Sequence, residues 1–443
     1  MKVLKFGGTS LGNADRIRNA AIIASQNQDC IVVCSAMAGM TNSLLRVCDE
    51  YADGNTAEAL RQMGFIREAF VNHAQELLGS DSIEREFMEL FQFVPDELTQ
   101  DYSESFKGRI VALGEQLTSL LFFQYLALQG QTAVLLQAPQ FLVLDASGEP
   151  VVSDITSRLE MNPDYSGSGI YITQGFICTD ARGNLSTLSR GGSDFTATLL
   201  GSAINAKVIE IWTDIDGMHN NDPRHVSGTH PIRELSYTEA AELAYFGARI
   251  LHPSCIRPAR EKGIPVAILN SMAPSAPGTI IMTETPAKGI RAIAAKDGIS
   301  ILRITSGRMF NAFGFMAKVF EVFKKHHTPV DVVTTSEVSV SVTIEEHMPV
   351  AALLKDLGSL GQVHLETGRC IICVVGDMLH PGHIARVMQL IRDLDIRMVS
   401  LGASSNNITF VLPLEQKVRA LNALHAIFDI VSEKQLQSCT EIT

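Results

Sequence analysis

The chain opens with apolar runs separated by small and polar residues, a pattern that predicts alternating strands and helices. Residues 3–6 are short and almost wholly apolar, as in a buried strand. Residues 14–25 then place apolar side chains at helical spacing, and residues 30–34 form a second apolar run. Strand, loop, helix and strand in this order favour a doubly wound α/β sheet, in which ligands collect at the carboxyl ends of the strands.

Small residues follow the first predicted strand directly and offer a phosphate-binding loop. Gly7 and Gly8 let the backbone approach a polyanion, and the amide groups of the helix that follows would point at it. Ser10 adds a hydroxyl, and Lys5 at the strand end would reach the same place. The spacing matches neither the P-loop nor the Gly-x-Gly-x-x-Gly pattern, so a tight turn after an edge strand is the alternative.

A second loop of small residues, 35–42, follows the second strand and opens another helix, so both loops can face one cleft. Residues 108–128 form a mostly apolar helical pattern that contains Glu115. A buried carboxylate there needs a partner, because an unpaired buried charge is costly. The alternative is that Glu115 lies on the solvent-exposed face of its helix.

A third loop brings charge and glycine together at the start of an apolar helix. A strand is predicted over 170–177, a hairpin turn at Gly183, and residues 190–194 then read Arg-Gly-Gly-Ser-Asp. The guanidinium of Arg190 can bind a carboxylate through two hydrogen bonds, the glycines and helix amides can hold phosphate oxygens, and Asp194 can orient cations around them. A purely structural capping motif is the alternative.

The next apolar run, residues 208–212, predicts a further strand. The polar, turn-rich segment 213–224 that follows suits either a nucleotide site or a solvated loop. A helix is predicted over 236–246 and a strand over 264–269, with His252 as a helix-entry residue before Pro. The Pro, Ser and polar residues beyond that strand mark a domain boundary.

The last third of the chain contains an internal repeat. Residues 315–344 align without gaps on residues 383–412, and each copy is preceded by a predicted strand, 299–305 or 370–375. Strand, helix, strand, strand is the beginning of a ferredoxin-like unit, and a pair of such units beside a catalytic domain is a common regulatory arrangement. The alternative is that the pair only mediates assembly.

Composition narrows the class of protein without naming a function. A chain of 443 residues is long enough for about three domains. The net charge of −12 argues against nucleic acid or an anionic membrane as a partner. No uninterrupted apolar run reaches the roughly 18 residues of a membrane span, and no secretory signal pattern opens the chain, so a cytoplasmic location is expected.

The cysteines do not suggest a metal site. The chain has 8 of them, scattered and mostly among apolar neighbours. Cys370 and Cys373 are the one close pair, and they lie in a strand-like run without a second pair or a histidine. We therefore expect this pair to be part of a core.

Taken together, these motifs resemble those of aspartate kinases, most of all the lysine-sensitive monofunctional type. The resemblance covers almost the entire chain. Its motifs, in family order, lie at residues 5–10, 35–42, 114–115, 173–176, 190–194, 212–214, 222–224, 246–253 and 330–338. It implies an α/β fold: an amino-acid-kinase doubly wound sandwich with helices on both faces, followed by two ferredoxin-like (βαββαβ) ACT domains. The implied boundaries are 1–290 for the catalytic domain, 291–365 for the first ACT unit and 366–443 for the second.

The resemblance also implies a reaction, the ATP-dependent phosphorylation of the β-carboxylate of L-aspartate to 4-phospho-L-aspartate. This is the first step toward lysine, threonine and methionine. A carboxylate whose ordinary pKa is about 3.9 is already ionised at neutral pH and needs no general base. That agrees with the absence of a Ser/His/Asp or paired-acid motif. Mg²⁺ is expected on the ATP phosphates, without a dedicated protein metal site.

The family pattern assigns roles residue by residue. Lys5, Asp194 and Arg249 are expected to be catalytic. Aspartate is expected to contact Thr41, Glu115, Phe176 and Arg190. The phosphates are expected to contact Gly7, Gly8, Ser10, Gly191, Gly192 and Ser193. The rest of the nucleotide is expected to contact Thr213, Asp214, His219, Arg224, Arg249 and Ile250.

Two of these positions depart from the family pattern. Arg249 stands where related enzymes carry Lys, which keeps the charge but changes its reach and geometry. His219 stands where Tyr is expected near the nucleotide.

Regulation is the last expectation from the resemblance. An effector amino acid, lysine in preference to threonine, is expected at Met309, Gly314, Phe315, Met316, Asp331, Ser336 and Glu337 of the first ACT unit. Asp331 and Glu337 could meet ammonium groups, whereas the second copy has Val399 and Ser405 there and lacks both acids.

A homodimer, or a dimer of dimers, through the ACT domains is expected. Another acid kinase, acting on glutamate or acetylglutamate, and a non-catalytic amino-acid sensor are the alternatives.

Overall fold

The structure is a computed structural model that describes residues 1–79, 84–92, 94, 98, 102–188, 191–247, 251–285, 289–309 and 313–440. The chain divides into two compact units. Unit 1 comprises Met1–Met218, Arg233–Tyr237 and Ile250–Thr285. Unit 2 comprises His219–Ile232, Thr238–Arg249 and Pro286–Thr443.

Unit 1 is built on an eight-stranded sheet in the order β3-β4-β2-β1-β7-β9-β10-β8. Its strands are β1 (Lys2–Phe6), β2 (Cys30–Cys34), β3 (Ala133–Leu136), β4 (Ile170–Gln174), β7 (Ile209–Thr213), β8 (Glu234–Ser236), β9 (Val266–Asn270) and β10 (Thr279–Met282). The run from β3 to β9 is parallel, and β10 is antiparallel to β9. A separate hairpin joins β5 (Ile177–Thr179) to β6 (Leu185–Thr187).

The central strands are apolar runs because helices cover both faces of a parallel sheet. Every residue of β2 and β4 is buried. Phe6, at the end of β1, is in register with Cys34 of β2 on one side and Trp212 of β7 on the other. Gln174 closes β4 beside Cys34. The loops that follow these four strands therefore leave the same edge of the sheet.

Some of the helices within residues 1–285 begin at a side chain that caps them. Asn13 accepts a hydrogen bond from the Arg16 amide at 3.0 Å, and Ser103 accepts one from the Phe106 amide at 3.1 Å. The described helices are Ala14–Ser25, Met40–Ala52, Thr56–Leu78, Glu84–Phe91, Glu104–Leu128, Ala138–Phe141, Val152–Met161, Gly192–Ala203, Tyr237–Tyr245 and Arg257–Lys262. His252 caps the short helix Pro253–Ile256, which confirms it as a helix-entry residue.

Among the described residues, the helix Glu104–Leu128 is long and apolar enough to cross a membrane by length and composition. Within its most apolar window, 67% of the residues are buried inside the protein. A helix that packs in this way is typical of a protein core, and it places Glu115 among apolar neighbours.

One predicted strand is divided. The run over 170–177 separates into β4 and β5, because Phe176 adopts a left-handed backbone conformation with φ of 66°. The predicted hairpin turn at Gly183 is confirmed, and its φ of 87° is one that glycine adopts without strain.

Unit 2 contains a six-stranded sheet in the order β12-β13-β11-β14-β16-β15. Its strands are β11 (Ile290–Thr305), β12 (Val333–Thr335), β13 (Ser339–Glu345), β14 (Gln362–Gly376), β15 (Met398–Leu401) and β16 (Asn407–Pro413). The helices Phe315–Lys325 and Ala351–Gly358 lie between strands of the first repeat, and Pro381–Leu390 and Lys417–Thr440 belong to the second. The repeat predicted from sequence is confirmed, with the order strand, helix, strand, strand in both copies.

The two repeats share their longest strands. β11 and β14 pair antiparallel from Ile290 with Gly376 to Thr305 with Gln362, with irregular register near the middle. The first repeat has its core around Leu302 and the second around Cys370, and β11 and β14 contribute to both cores. The boundary expected at residues 365 and 366 lies inside β14. Both Cys370 and Cys373 are buried in this strand, as the sequence predicts.

Candidate active site

A cleft of about 620 Å³ opens at the carboxyl edge of the unit 1 sheet. Its walls come from the loops after β1, β2 and β7, from the start of the helix Gly192–Ala203, and from single residues elsewhere. The lining residues are Lys5, Gly7, Gly8, Thr9, Ser35, Ala36, Met37, Ala38, Gly39, Thr41, Asn42, Glu115, Phe176, Gly191, Gly192, Ser193, Asp194, Thr213 and Asp214. The prediction that the first two loops face one cleft is confirmed.

An ion pair forms one wall of the cleft. The Nζ atom of Lys5 lies 2.7 Å from Oδ1 of Asp194, and both side chains are largely buried. Lys5 is the fourth residue of β1, and Asp194 lies in the first turn of its helix, where a carboxylate is favoured by the helix dipole. The pair fixes a cation at the edge of the cleft, beside the glycine loop that follows β1.

Glycine is required at two points of the cleft because the chain passes too close for a side chain. A Cβ atom on Gly8 would lie 2.6 Å from the carbonyl oxygen of Ala36. A Cβ atom on Gly192 would lie 2.2 Å from the ring of Phe176. The Gly8 carbonyl accepts a hydrogen bond from the Ala38 amide at 3.1 Å, which joins the first two loops. Exposed backbone in such a cradle is suited to phosphate oxygens.

Glu115 brings a carboxylate into the cleft from the buried helix Glu104–Leu128. It is 3% exposed, so the alternative that it lies on the solvent-exposed face of its helix is wrong. Its Oε1 accepts a hydrogen bond from the Ala36 amide at 3.2 Å, and its Oε2 has no hydrogen-bond partner among the described residues. Burial raises the pKa of Glu115 to about 8, although the Ala36 amide acts in the opposite direction.

Two further predicted substrate residues also line the cleft. Thr41 lies in the first turn of the helix Met40–Ala52, and Phe176 follows β4. The backbone amide of Phe176 donates to Oγ1 of Thr196 at 3.0 Å, which helps to hold its unusual conformation. Thr213 is the last residue of β7, Asp214 follows it, and both line the same cleft.

Ser10 is not among the residues that line the cleft. It is fully buried, and its hydroxyl oxygen lies 2.7 Å from that of Ser271. The hydroxyl is therefore occupied inside the protein. Ser10 was predicted to contact the phosphates, and its contact with Ser271, a single serine next to the predicted domain boundary, was not predicted.

Five predicted site residues are not among the described residues of unit 1. Arg190, Arg249 and Ile250 lie outside the described residues. His219 and Arg224 belong to unit 2. Nδ1 of His219 lies 3.1 Å from Oγ1 of Thr229, and Arg224 forms an ion pair with Asp222 at 2.7 Å.

The predicted effector residues lie in unit 2. Phe315 is buried in the core of the first repeat, Met309 and Met316 pack against that core, and Gly314 precedes the helix Phe315–Lys325. Ser336 and Glu337 are exposed.

Asp331 differs from these residues because its carboxylate is already engaged. It lies 3.0 Å from Nζ of Lys296 and accepts a hydrogen bond from the hydroxyl of Tyr245.

Within the described ranges, no group of three or more His, Cys, Asp or Glu side chains could hold a metal ion.

Comparison with known proteins identifies the family. The model of the amino acid kinase family matches residues 1–270, and the ACT domain model matches residues 372–428. Lysine-sensitive aspartokinase 3 of Escherichia coli K12 is 33% identical, over 96% of this chain and 98% of that protein. The chain belongs to the aspartokinase family. It is therefore a phosphotransferase with a carboxyl group as acceptor.

Two solved structures extend this family resemblance to the fold. The crystal structure of E. coli aspartokinase III in complex with aspartate and ADP, in the R-state, matches with a TM-score of 0.83 at 32% identity. The structure of the same enzyme in complex with lysine and aspartate, in the T-state, matches with a TM-score of 0.81 at 31% identity. Each match covers 96% of this chain and 99% of the other. The predicted amino-acid-kinase fold followed by ACT units is confirmed.

Proposed function

We propose that the protein transfers the γ-phosphoryl group of ATP to the β-carboxylate of L-aspartate, giving 4-phospho-L-aspartate and ADP. One observation carries the proposal. The cleft that holds the Lys5 and Asp194 ion pair also holds a buried carboxylate, Glu115, one oxygen of which has no partner among the described residues. Such an oxygen can bind an ammonium group, and aspartate carries one on its α-carbon. Lys5 and the glycine loops are then free to bind the phosphates and the phosphoryl group that is transferred to the β-carboxylate.

The aspartate end of the cleft follows from this placement. Glu115 binds the α-ammonium group, while Thr41 and Phe176 line the pocket around the side chain. Arg190 binds the α-carboxylate in this proposal. Because the attacking β-carboxylate is already ionised at neutral pH, the protein needs to align it and to neutralise charge, not to remove a proton.

At the nucleotide end of the cleft, backbone groups and the ammonium group of Lys5 interact with the phosphates. Gly7, Gly8, Gly191, Gly192 and Ser193 contact the ATP phosphates, and Lys5 neutralises the charge that develops on the transferred group. Asp194 holds Lys5 in place. Thr213 and Asp214 contact the rest of the nucleotide, and we assign His219, Arg224, Arg249 and Ile250 to the same role.

The oxygen-rich cleft is compatible with Mg²⁺ bound to ATP. Magnesium takes oxygen ligands and usually binds through one or two carboxylates together with substrate phosphates. Asp194 and Asp214 are the carboxylates that line the nucleotide end, and they would hold the ion. The ion would neutralise phosphate charge and orient the γ-phosphoryl group.

Regulation and context complete the proposal. We propose lysine as the effector, supported by the lysine complex of the E. coli enzyme. Glu337 is exposed and available for an ammonium group, whereas Asp331 must first exchange the ammonium group of Lys296 for that of the effector.

We also propose a homodimer through the ACT units, a role in lysine synthesis by the diaminopimelate route, and a cytoplasmic location, where ATP and aspartate are both present.

A hydroxamate assay tests the reaction, since hydroxylamine traps acyl phosphates. The protein with MgATP should give product with L-aspartate, and much less with L-glutamate, N-acetylglutamate or N-acetylaspartate. N-acetylaspartate is the matched control, because it keeps both carboxylates and loses only the ammonium group that Glu115 is proposed to bind. Product with glutamate or acetylglutamate but not with aspartate would indicate another acid kinase. No product with any acceptor would indicate a sensor.

A further inference from the structure

A buried pair of serine hydroxyls connects the glycine loop to the strand that ends at the nucleotide residues. Ser271 directly follows β9, and its Oγ lies 2.7 Å from Oγ of Ser10 and 3.0 Å from the carbonyl oxygen of Thr213. Ser10 and Ser271 are 0% and 2% exposed. The two residues are separated by 261 positions, so this contact exists only in the folded sheet.

The hydrogens of this pair can be assigned from the available acceptors. The Ser271 hydroxyl is in position to donate to the Thr213 carbonyl at 3.0 Å. Its oxygen then accepts from Ser10, since the alternative acceptor for Ser10, the Trp212 carbonyl, is more distant at 3.3 Å. That carbonyl already accepts from the Gly7 amide at 3.0 Å. The result is a chain of two hydrogen bonds, from Ser10 to Ser271 to Thr213.

Both ends of this chain lie next to residues of the cleft. Ser10 belongs to the short turn Gly8–Leu11 and donates its backbone amide to the Gly7 carbonyl at 2.9 Å. Thr213 and the residue after it line the nucleotide end of the cleft. The chain through Ser271 therefore adds to the direct bond between the Gly7 amide and the Trp212 carbonyl in holding the glycine loop against the end of β7, although Ser271 itself does not line the cleft.

We propose that Ser271 is a positioning residue for the nucleotide, acting through Ser10 on the glycine loop and through Thr213 on the end of β7. The inference rests on the proposed function, because it assigns ATP phosphates to that loop. Small displacements of groups that position a substrate have large effects on binding and rate. Aspartate, held by Glu115 from a different helix, should be insensitive to the same change.

The variant Ser271→Ala should fold, because no buried polar group loses its last partner. The Thr213 carbonyl still accepts from the Ser271 backbone amide at 2.8 Å. The Ser10 hydroxyl can still donate to the Trp212 carbonyl. What the variant loses is the hydroxyl link from Ser10 through Ser271 to Thr213, so its effect should appear in nucleotide binding more than in unfolding temperature.

The test is calorimetric titration of the full chain with MgADP and, separately, with L-aspartate. Ser271→Ala and Ser10→Ala should each weaken MgADP binding by about tenfold and change aspartate binding by less than about twofold. The MgADP affinity of the double variant should lie within about twofold of that of each single variant, because both substitutions break the same hydrogen-bond chain. Where one single variant unfolds, the other tests the same connection from its opposite end.

The matched control is Thr179→Val. Thr179 also donates a hydroxyl hydrogen bond to a carbonyl, that of Pro139 at 2.7 Å, but it does not line the cleft. It should leave both affinities unchanged. Unchanged MgADP affinity in the serine variants, an equal loss of aspartate affinity, or a loss of the same size in Thr179→Val would overturn the proposal. Intact MgADP binding in an unmutated chain that cannot phosphorylate aspartate would refute only the proposed reaction.

Discussion

The pH dependence of aspartate binding tests the proposed role of Glu115 directly. An ammonium group binds the carboxylate form of Glu115, but burial raises its pKa to about 8. Below that pH the side chain is mostly protonated in the unliganded protein and must release a proton before aspartate binds. The affinity for aspartate should therefore rise with pH until Glu115 is ionised without the ligand.

The size of the effect follows from the ionised fraction. With a pKa of about 8, Glu115 is about 1% ionised at pH 6, about 10% at pH 7 and about 50% at pH 8. The apparent dissociation constant for aspartate should thus fall about fiftyfold between pH 6 and pH 8. Between pH 7 and pH 8 alone it should fall roughly fivefold. At pH 7, binding should release about 0.9 proton per site.

The raised pKa of Glu115 also makes the free energy of unfolding depend on pH, with the opposite sign to that of most carboxylates. The pKa of Glu115 in the folded protein lies above its ordinary value of 4.5, so the folded state binds more protons than the unfolded state between these two pH values. The free energy of unfolding of the unliganded protein should fall as pH rises from about 4.5 to about 8, by up to roughly 5 kcal/mol from this group. Bound aspartate should restore much of that loss.

Calorimetry in buffers of different ionisation enthalpy measures both the affinity and the proton count. Glu115→Gln is the matched control, because it keeps the shape of the side chain and cannot titrate. It should bind aspartate weakly and with little dependence on pH, and MgADP binding should be similar in both proteins. An aspartate affinity that stays constant from pH 6 to pH 8 in the unmutated chain, or the same slope in the glutamine variant, would refute the assignment.

Substitutions elsewhere should separate turnover, substrate affinity and regulation in steady-state hydroxamate assays. Lys5→Ala should lower kcat by about 10²-fold to 10³-fold with the KM for aspartate within about twofold, because it removes charge stabilisation in the transition state; a matching change in KM would contradict this. Gly192→Ala places a Cβ atom 2.2 Å from the ring of Phe176 and should raise the KM for aspartate about tenfold. Gly64→Ala, in open space on the helix Thr56–Leu78, is its control, and equal kinetics in the two variants would exclude the clash. Glu337→Ala should raise the lysine concentration for half inhibition about tenfold at unchanged basal activity, and an unchanged inhibition curve would place the effector elsewhere.

The fold was predictable where burial is complete. The strands β1, β2, β4, β7 and β9 appear in the sequence as apolar runs because parallel strands under helices are buried on both faces. The strands β3, β8 and β10 were not predicted. They have 3 or 4 residues, and part of each is only half-buried or exposed, so even the apolar run of β3 is too short to indicate a strand.

Parts of the candidate site that depend on backbone geometry could be predicted from the sequence. Parts that depend on contacts between residues distant in the chain could not. Gly8 and Gly192 stand at close approaches that tolerate no side chain, and glycine in the sequence marks such points. The break at Phe176 carries no signal, since an aromatic residue rarely adopts a positive φ. Ser10 lies in the predicted loop, but its partner Ser271 comes from another strand, and no local pattern reports that contact.

Two buried carboxylates illustrate where sequence reasoning stops. The family resemblance led us to expect that both Glu115 and Asp331 meet an ammonium group from a ligand, and for Glu115 the apolar helix also indicated a buried carboxylate that needs a partner. Around Asp331 the chain supplies the cation itself, Lys296 at 3.0 Å, together with the hydroxyl of Tyr245. Around Glu115 the described residues supply only the Ala36 amide to one oxygen, and the group responds with a raised pKa. The need for a cation can be inferred from sequence, but its source depends on which side chains the fold brings near. We therefore predict that binding of an ammonium group at Glu115 releases a proton, whereas binding at Asp331 would have to displace Lys296.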